Sequence, residues 1–121
     1  MTQQEAYTTF NLYKEFVEKQ KNEQIEIAKQ EANRLQEQYR EQLNQERHLI
    51  NQAELAEKIK AAQEYRDNRI DNIEQDASSR IAAAEALLKE NVEKALQMET
   101  KLNEEKARQD AELRQKDLQR E

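Results

Sequence analysis

The chain of 121 residues contains neither glycine nor proline. These two residues supply most tight turns and many helix ends in proteins. A chain without them has few signals for the turns that connect strands. Alanine, glutamate, lysine, leucine and arginine together account for 67 of the 121 residues, a composition typical of long helices and coiled coils. The sequence therefore predicts an all-α fold.

Two short segments bear on where helices begin. Thr2 and Glu5 have the spacing of a capping box, in which side chains satisfy the free N–H groups of a first helical turn. We therefore expect a helix to begin near residue 3. The segment QDASS, residues 75–79, offers further candidate caps. Because the apolar pattern keeps its phase on both sides of this segment, we expect the helix to continue through it.

Apolar residues recur every eleven residues along the chain. In the C-terminal half they form three columns: Ile59, Ile70, Ile81 and Val92; Ala62, Ile73, Ala84 and Ala95; and Leu55, Ala77 and Leu88. In the N-terminal half the columns are Ala6, Val17, Ala28, Tyr39, Ile50 and Ala61; Phe10, Ala32 and Leu43; and Tyr13 and Leu35. Spacings of three, four and four define a hendecad, whose 3.67 residues per turn give a nearly straight stripe. This pattern predicts coiled-coil packing.

The content of large apolar residues is low for an independent domain. Leucine, isoleucine, valine and phenylalanine number 22 of 121 residues, about 18%, and chains below roughly 20% often cannot offset the entropy cost of ordering. We therefore expect the helical form to be stable mainly in an assembly. The expected partners are further copies of the chain, as a homo-oligomer, and/or other subunits of a large complex.

The apolar columns of the two halves do not share one phase, and the polar segment NQERHLINQ, residues 44–52, lies between them. Two architectures explain this change. One is a single very long helix that changes its partner face near residues 50–58, and the other is a long antiparallel helical hairpin. Because no glycine is present to form a left-handed cap, the single helix is the preferred prediction.

Four segments are predicted along the chain. Residues 1–20 form an aromatic-rich docking helix, and residues 21–50 form a first coiled-coil segment. Residues 51–98 form the hendecad coiled coil, and residues 99–121 form a charged helical tail with few apolar residues. Four of the six aromatic residues lie in the first segment, where they widen the apolar face beyond that of a coiled coil. Such a face fits either a thicker part of the same bundle or a terminus that docks to another protein.

The predicted partner interface combines these aromatic residues with the hendecad columns. It consists of Tyr7, Phe10, Tyr13, Phe16, Val17, Ala28, Tyr39, Ile50, Ile59, Ile70, Ile73, Ile81, Leu88 and Val92.

Several kinds of chemistry are disfavoured by the residues present. The chain has no cysteine, and His48 is its only histidine, so a thiolate site, a histidine-pair metal site or a Ser-His-Asp triad cannot form within one chain. The aligned carboxylates Asp67, Asp71 and Glu74 are most simply a solvated face paired with neighbouring basic residues. We expect no enzymatic activity, no catalytic residues, no cofactor and no metal.

Charge and hydropathy limit the expected partners and location. The 20 basic and 26 acidic residues are interleaved, so no basic stripe exists for phosphate groups and direct nucleic-acid binding is not expected. No apolar run is long enough to span a membrane, and the sequence MTQQEAYTTF lacks the apolar core of a signal peptide. We expect a protein that is not secreted and is cytoplasmic, or intravirion if viral.

The segments AEKIKAAQEYRDNRI and SSRIAAAEALLKENV, within residues 56–96, resemble the soluble stalk of ATP synthase b-type subunits. Those subunits pair as long hendecad helices, so the resemblance implies a peripheral-stalk-like subunit of a rotary ATPase. The N-terminal membrane helix of that family has no counterpart here. The preferred hypothesis is a non-enzymatic strut or scaffold, and the alternatives are this stalk subunit, a small virion component (a capsid scaffold or an internal, ejected protein) and a monomeric hairpin binding module.

Overall fold

The computed structural model describes residues 1–120 and contains two α-helices. Helix α1 spans Gln3–Gln45, and helix α2 spans Leu49–Arg120. No strand is present among residues 1–120. The predicted all-α class is confirmed.

Helix α1 begins as the capping pattern predicts. The backbone N–H of Glu5 donates to the Thr2 hydroxyl oxygen at 3.1 Å, and the N–H of Ala6 donates to the Thr2 carbonyl at 3.0 Å. The first of these bonds satisfies one free donor of the first turn. The second is the first hydrogen bond of the helix itself, which makes Thr2 the N-cap residue. Helix α2 is continuous through residues 75–79, as predicted, and there Asp76 accepts from Arg80 one turn later at 3.2 Å.

The preferred prediction of one continuous helix is wrong, because α1 ends at Gln45 and α2 begins at Leu49. A helix end without glycine is possible here because no residue of the turn needs a positive φ angle. The Glu46 carboxylate accepts hydrogen bonds from the backbone N–H groups of Arg47 and His48, at 3.1 and 3.0 Å. The Glu46 side chain thus satisfies these two N–H groups. In a left-handed glycine cap, N–H groups beyond the helix end would instead donate to carbonyls of its last turn.

The same turn positions the start of α2. The His48 carbonyl accepts the first hydrogen bond of the new helix from Gln52, at 3.0 Å, which makes His48 the N-cap residue. The Gln52 side-chain amide donates back to the Glu46 carbonyl at 2.8 Å. The backbone hydrogen bond from His48 is the main cause that lowers the pKa of Glu46 below its ordinary value of 4.5.

The chain divides into two compact units, and the first of them, residues 14–82, is an antiparallel hairpin that we call the hairpin unit. Two hydrogen bonds join its helices: Arg69 Nη1 donates to Glu31 Oε2 at 2.5 Å, and Arg80 Nη1 donates to Gln20 Oε1 at 3.2 Å. From the first contact to the second, the residue number rises by eleven on α2 and falls by eleven on α1. This relation holds only when the two helices run in opposite directions with the same rise.

The interior of the hairpin unit follows the hendecad columns on α2. The seven residues of the three C-terminal columns that belong to this unit are buried or half-buried, with Leu55, Ala62 and Ala77 buried. The four others, in the second unit, are also buried or half-buried. On α1 the first two columns are buried or half-buried as far as Leu43. Ile50 and Ala61 do not continue the first column, because the chain reverses before them and both are exposed.

The third column of α1 is not the predicted pair Tyr13 and Leu35, which are both exposed. In its place, Lys14 and Ile25 are half-buried, and Gln36 is buried with 4% of its surface exposed. These positions complete the spacing of three, four and four with the other two columns. The prediction failed because two of the three residues in this column, Lys14 and Gln36, are polar, and an apolar pattern cannot reveal them.

The second unit, which we call the terminal unit, contains residues 1–13 and 83–120. Ala6 and Ala95 are its fully buried residues, and Phe10, Leu88 and Val92 are half-buried. Every residue from 96 to 120 is exposed. Within residues 1–120, neither helix has a stretch that is both long and apolar enough to cross a membrane.

Candidate helix-docking surface

Among residues 1–120, the most deeply buried apolar side chains are mostly small, the larger members of the buried columns are half-buried, and many other large apolar side chains are exposed. Six of the eight buried apolar residues are alanines, and the other two are Val17 and Leu55. Sixteen larger apolar side chains are exposed. Single exposed apolar residues are normal on protein surfaces, whereas exposed apolar residues that lie side by side on one helix face mark candidate contact surfaces.

The most regular of these surfaces follows α1 in the hairpin unit. We call it the outer stripe, and it consists of Phe16, Gln20, Gln24, Ile27, Glu31 and Leu35, with successive spacings of four, four, three, four and four residues. Its centre lies roughly 100° around the helix from the buried columns at the hendecad period. Phe16, Ile27 and Leu35 are 61%, 49% and 39% exposed. The outer stripe therefore presents three large apolar side chains at the spacing by which helices pack.

A groove of about 370 Å³ runs between the two helices of the hairpin unit, and Glu31 and Leu35 of the outer stripe belong to its border. Four alanines line it: Ala28, Ala32, Ala61 and Ala62. Because alanine fills little space, the two backbones leave a depression between the larger side chains. Tyr39 and Tyr65 also line the groove, and Tyr65 is 71% exposed. The groove offers an apolar surface to a side chain of another helix.

Polar contacts cross this side of the hairpin at intervals of eleven residues. Lys58, Arg69 and Arg80 of α2 lie eleven residues apart. Their partners on α1 are the Tyr39 ring, whose centroid lies 5.9 Å from the Lys58 amine, then Glu31, then Gln20. The hydrogen bond and the charge of Glu31 raise the pKa of Arg69. Since all three contacts are largely exposed, each contributes little stability, and together they fix the register of the two helices.

The structure distributes the predicted partner-interface residues over three environments. Val17 and Ala28 are buried; Phe10, Tyr39, Ile59, Ile70, Ile73, Ile81, Leu88 and Val92 are half-buried; and Tyr7, Tyr13, Phe16 and Ile50 are exposed. The chain's own helices thus cover ten of these fourteen residues at least in part. Their role as contacts to another chain stays a prediction, as do the four predicted segments.

Sequence reasoning missed Ile27 and Tyr65 as candidate contact residues. A signal for Ile27 was present, because it follows Phe16, a predicted contact residue, by eleven residues. No periodic signal marks Tyr65, since the residues eleven before and after it, Glu54 and Asp76, are charged. Its exposure beside the groove follows only from the pairing of α1 with α2.

No centre for catalysis or metal binding was predicted, and that expectation stays a prediction. His48 is exposed in the turn, where its backbone rather than its imidazole makes the recorded contacts. Within residues 1–120, no group of three or more histidine, aspartate or glutamate side chains is arranged to hold a metal ion.

No protein-family model matches the sequence, and no curated protein or solved structure is significantly similar to it.

Proposed function

We propose that this chain is a non-enzymatic assembly protein, a helical strut or scaffold that associates with other helices through apolar faces left uncovered by its own fold. The supporting observation is the distribution of side-chain sizes. Alanines are six of the eight buried apolar residues, whereas Phe16, Ile27, Leu35 and Tyr65 are exposed on the hairpin unit. Burial of a large apolar side chain contributes about 1.5–3 kcal/mol, and a single methyl group contributes less than 1 kcal/mol.

The energetic consequence is that much of the available apolar stabilisation is realised only on association. Two helices cover their larger contact residues only in part, so these residues and the exposed ones add to the stability when another helix covers them. Anything that binds the folded form but not the unfolded form raises its stability. Folding and assembly are therefore coupled in this proposal.

The test is a dilution series in which light scattering gives the mass and circular dichroism gives the helicity of the same samples. We expect the mass to fall towards that of the 14.4 kDa chain on dilution, and the helicity to fall with it. A monomer that remains fully helical at nanomolar concentration and melts cooperatively would contradict the proposal.

A second candidate function is a monomeric hairpin binding module, which the groove between Tyr39 and Tyr65 favours. Its apolar lining and basic border, with Lys58 and Arg69, suit the insertion of a helix from another protein. The same dilution series separates the two functions, because a binding module has to be folded before its client arrives. A stable helical monomer would favour the module.

A further inference from the structure

We propose that the outer stripe of the hairpin unit binds the outer stripe of a second copy of this chain, with the two α1 helices antiparallel and related by a twofold axis level with residues 25 and 26. This inference rests on the proposed assembly function and names the partner and the register. It uses only residues of the hairpin unit, Lys14–Ala82.

The spacing along the outer stripe is the first argument. Read from either end, the stripe has the same succession of four, four, three, four and four residues. An antiparallel second copy therefore places Phe16 against Leu35 of the second copy, Gln20 against Glu31, and Gln24 against Ile27. The two Ile27 side chains lie about 4.5 Å apart along the axis at 1.5 Å per residue. One central isoleucine pair is thus flanked on each side by a phenylalanine–leucine pair.

Charge complementarity is the second argument. Arg80 is held by Asp76 of its own helix at 3.2 Å and by the neutral amide of Gln20. Because Gln20 comes level with Glu31 of the second copy, the guanidinium of Arg80 comes level with that carboxylate. Glu31 already accepts from Arg69 in its own chain. The twofold axis therefore brings one carboxylate between two guanidinium groups on each side of the interface.

The area available is the third argument. The α1 segment of the hairpin unit, residues 14–45, extends about 48 Å, and two packed helices are about 20 Å wide. The face that carries the outer stripe and the groove therefore measures about 950 Å². A stable protein interface buries about 800 Å² on each partner. One face of the hairpin unit is sufficient for a dimer of two hairpins, with four helices in contact.

Cysteine cross-linking tests the orientation, since the natural chain contains no cysteine to compete. In the double variant Gln20→Cys/Glu31→Cys, each cysteine faces the other position of the second copy. Residues 20 and 31 of one chain lie about 16 Å apart on the helix, beyond the roughly 7 Å between Cα atoms that a disulfide spans. We expect mild oxidation to give a disulfide-linked dimer of the double variant and almost none of either single variant. Efficient dimers of the single variants would indicate a parallel pair and overturn the proposal.

A charge substitution at the centre tests whether the stripe is the interface. We expect Ile27→Glu to raise the dimer dissociation constant about a hundredfold, because each dimer loses two apolar contacts and gains two facing carboxylates. Leu49→Glu is the matched control, since Leu49 is exposed, apolar and outside the outer stripe, and it leaves the constant unchanged. Sedimentation equilibrium measures both.

The outcomes separate this inference from the assembly function. If oligomers form but Ile27→Glu leaves them intact, the outer stripe is not the interface, and the copies of the chain associate through another surface. If the unmodified chain is a stable helical monomer at every concentration, the assembly function and this inference both fail. Loss of the dimer in Ile27→Glu alone, together with cross-linking of the double cysteine variant alone, supports both.

Discussion

The substitution Gln36→Met is expected to stabilise the folded chain. Gln36 is 4% exposed, and its amide nitrogen Nε2 is buried without a hydrogen-bond partner among residues 1–120. Burying an amide donor without a hydrogen-bond partner in the protein costs free energy. Methionine has a similar length and flexibility, and its thioether needs no hydrogen bond.

The magnitude follows from two contributions. A buried polar group without a partner costs about 1–3 kcal/mol, and a methionine at the same site adds apolar burial. We expect a net gain of about 2 kcal/mol in the free energy of unfolding. For a chain of this size the gain corresponds to a melting temperature about 8 °C higher. Glutamine and methionine have similar helix propensities, so propensity contributes little to the difference.

The assay is urea unfolding followed by circular dichroism, at one fixed protein concentration because association also affects stability. Gln38→Met is the matched control: Gln38 lies two residues further along α1 and is exposed, so its effect should stay within about 0.5 kcal/mol. An unchanged m-value would show that the substitution acts on stability and not on compactness. If Gln36→Met were no more stable than Gln38→Met, the claim that the unpaired Gln36 amide destabilises the fold would be refuted.

Three further predictions concern the packing and the helix ends. Leu55→Ala should lower the free energy of unfolding by about 2–4 kcal/mol, because Leu55 is a buried residue of the interior, whereas Leu49→Ala, at an exposed site, should change it by less than about 0.5 kcal/mol in the same urea titration. Glu46→Gln should remove a pH-dependent stabilisation: the folded state lowers the pKa of Glu46 from 4.5 through the N–H of His48, so the carboxylate stabilises the fold above about pH 4.5 and this contribution is lost as the pH falls through the lowered value. Thermal melts of both proteins between pH 3 and 7 should therefore converge at the acid end, and a constant difference would contradict the assignment. Thr2→Ala should cost about 1 kcal/mol of helix stability at the start of α1, seen as faster amide exchange in the first turn, whereas Thr2→Ser should retain protection.

Helical class and the start of α1 could be predicted because they depend on local chemistry. A chain without glycine or proline has few residues that disfavour a helix, and Thr2 with Glu5 supplies a cap whose geometry spans a single turn. The C-terminal columns could be predicted for a similar reason. Isoleucine, leucine, valine and alanine occupy the eleven column positions from Leu55 to Ala95, so the pattern alone indicates the buried face.

The turn could not be predicted from the same local rules, because it uses a side chain in an uncommon role. Glutamate is not a typical residue for a turn, yet the Glu46 carboxylate reaches two backbone N–H groups, and the Gln52 amide reaches the Glu46 carbonyl. Any polar segment of this chain contains similar glutamates and glutamines. What distinguishes residues 46–48 is the change in phase of the apolar pattern around them. That change indicated that the two halves present different faces to their neighbours, but it did not show that each half packs against the other.

The misplaced third column of α1 connects the fold to the proposed assembly. Sequence reasoning placed Tyr13 and Leu35 inside because they are apolar, whereas Lys14 and Gln36 occupy the interior column. If the apolar residues were in the interior column and the polar ones outside, α1 would have a stronger contact with α2 and a polar outer surface. The observed arrangement is therefore the less favourable one for an isolated hairpin. An unpaired amide at Gln36 weakens the internal contact, while Leu35 beside it increases the apolar area offered to another helix. Both effects lower the stability of the separated hairpin relative to an associated one. The Gln36→Met variant should therefore be helical at lower concentration than the natural chain, without a change in which surface associates.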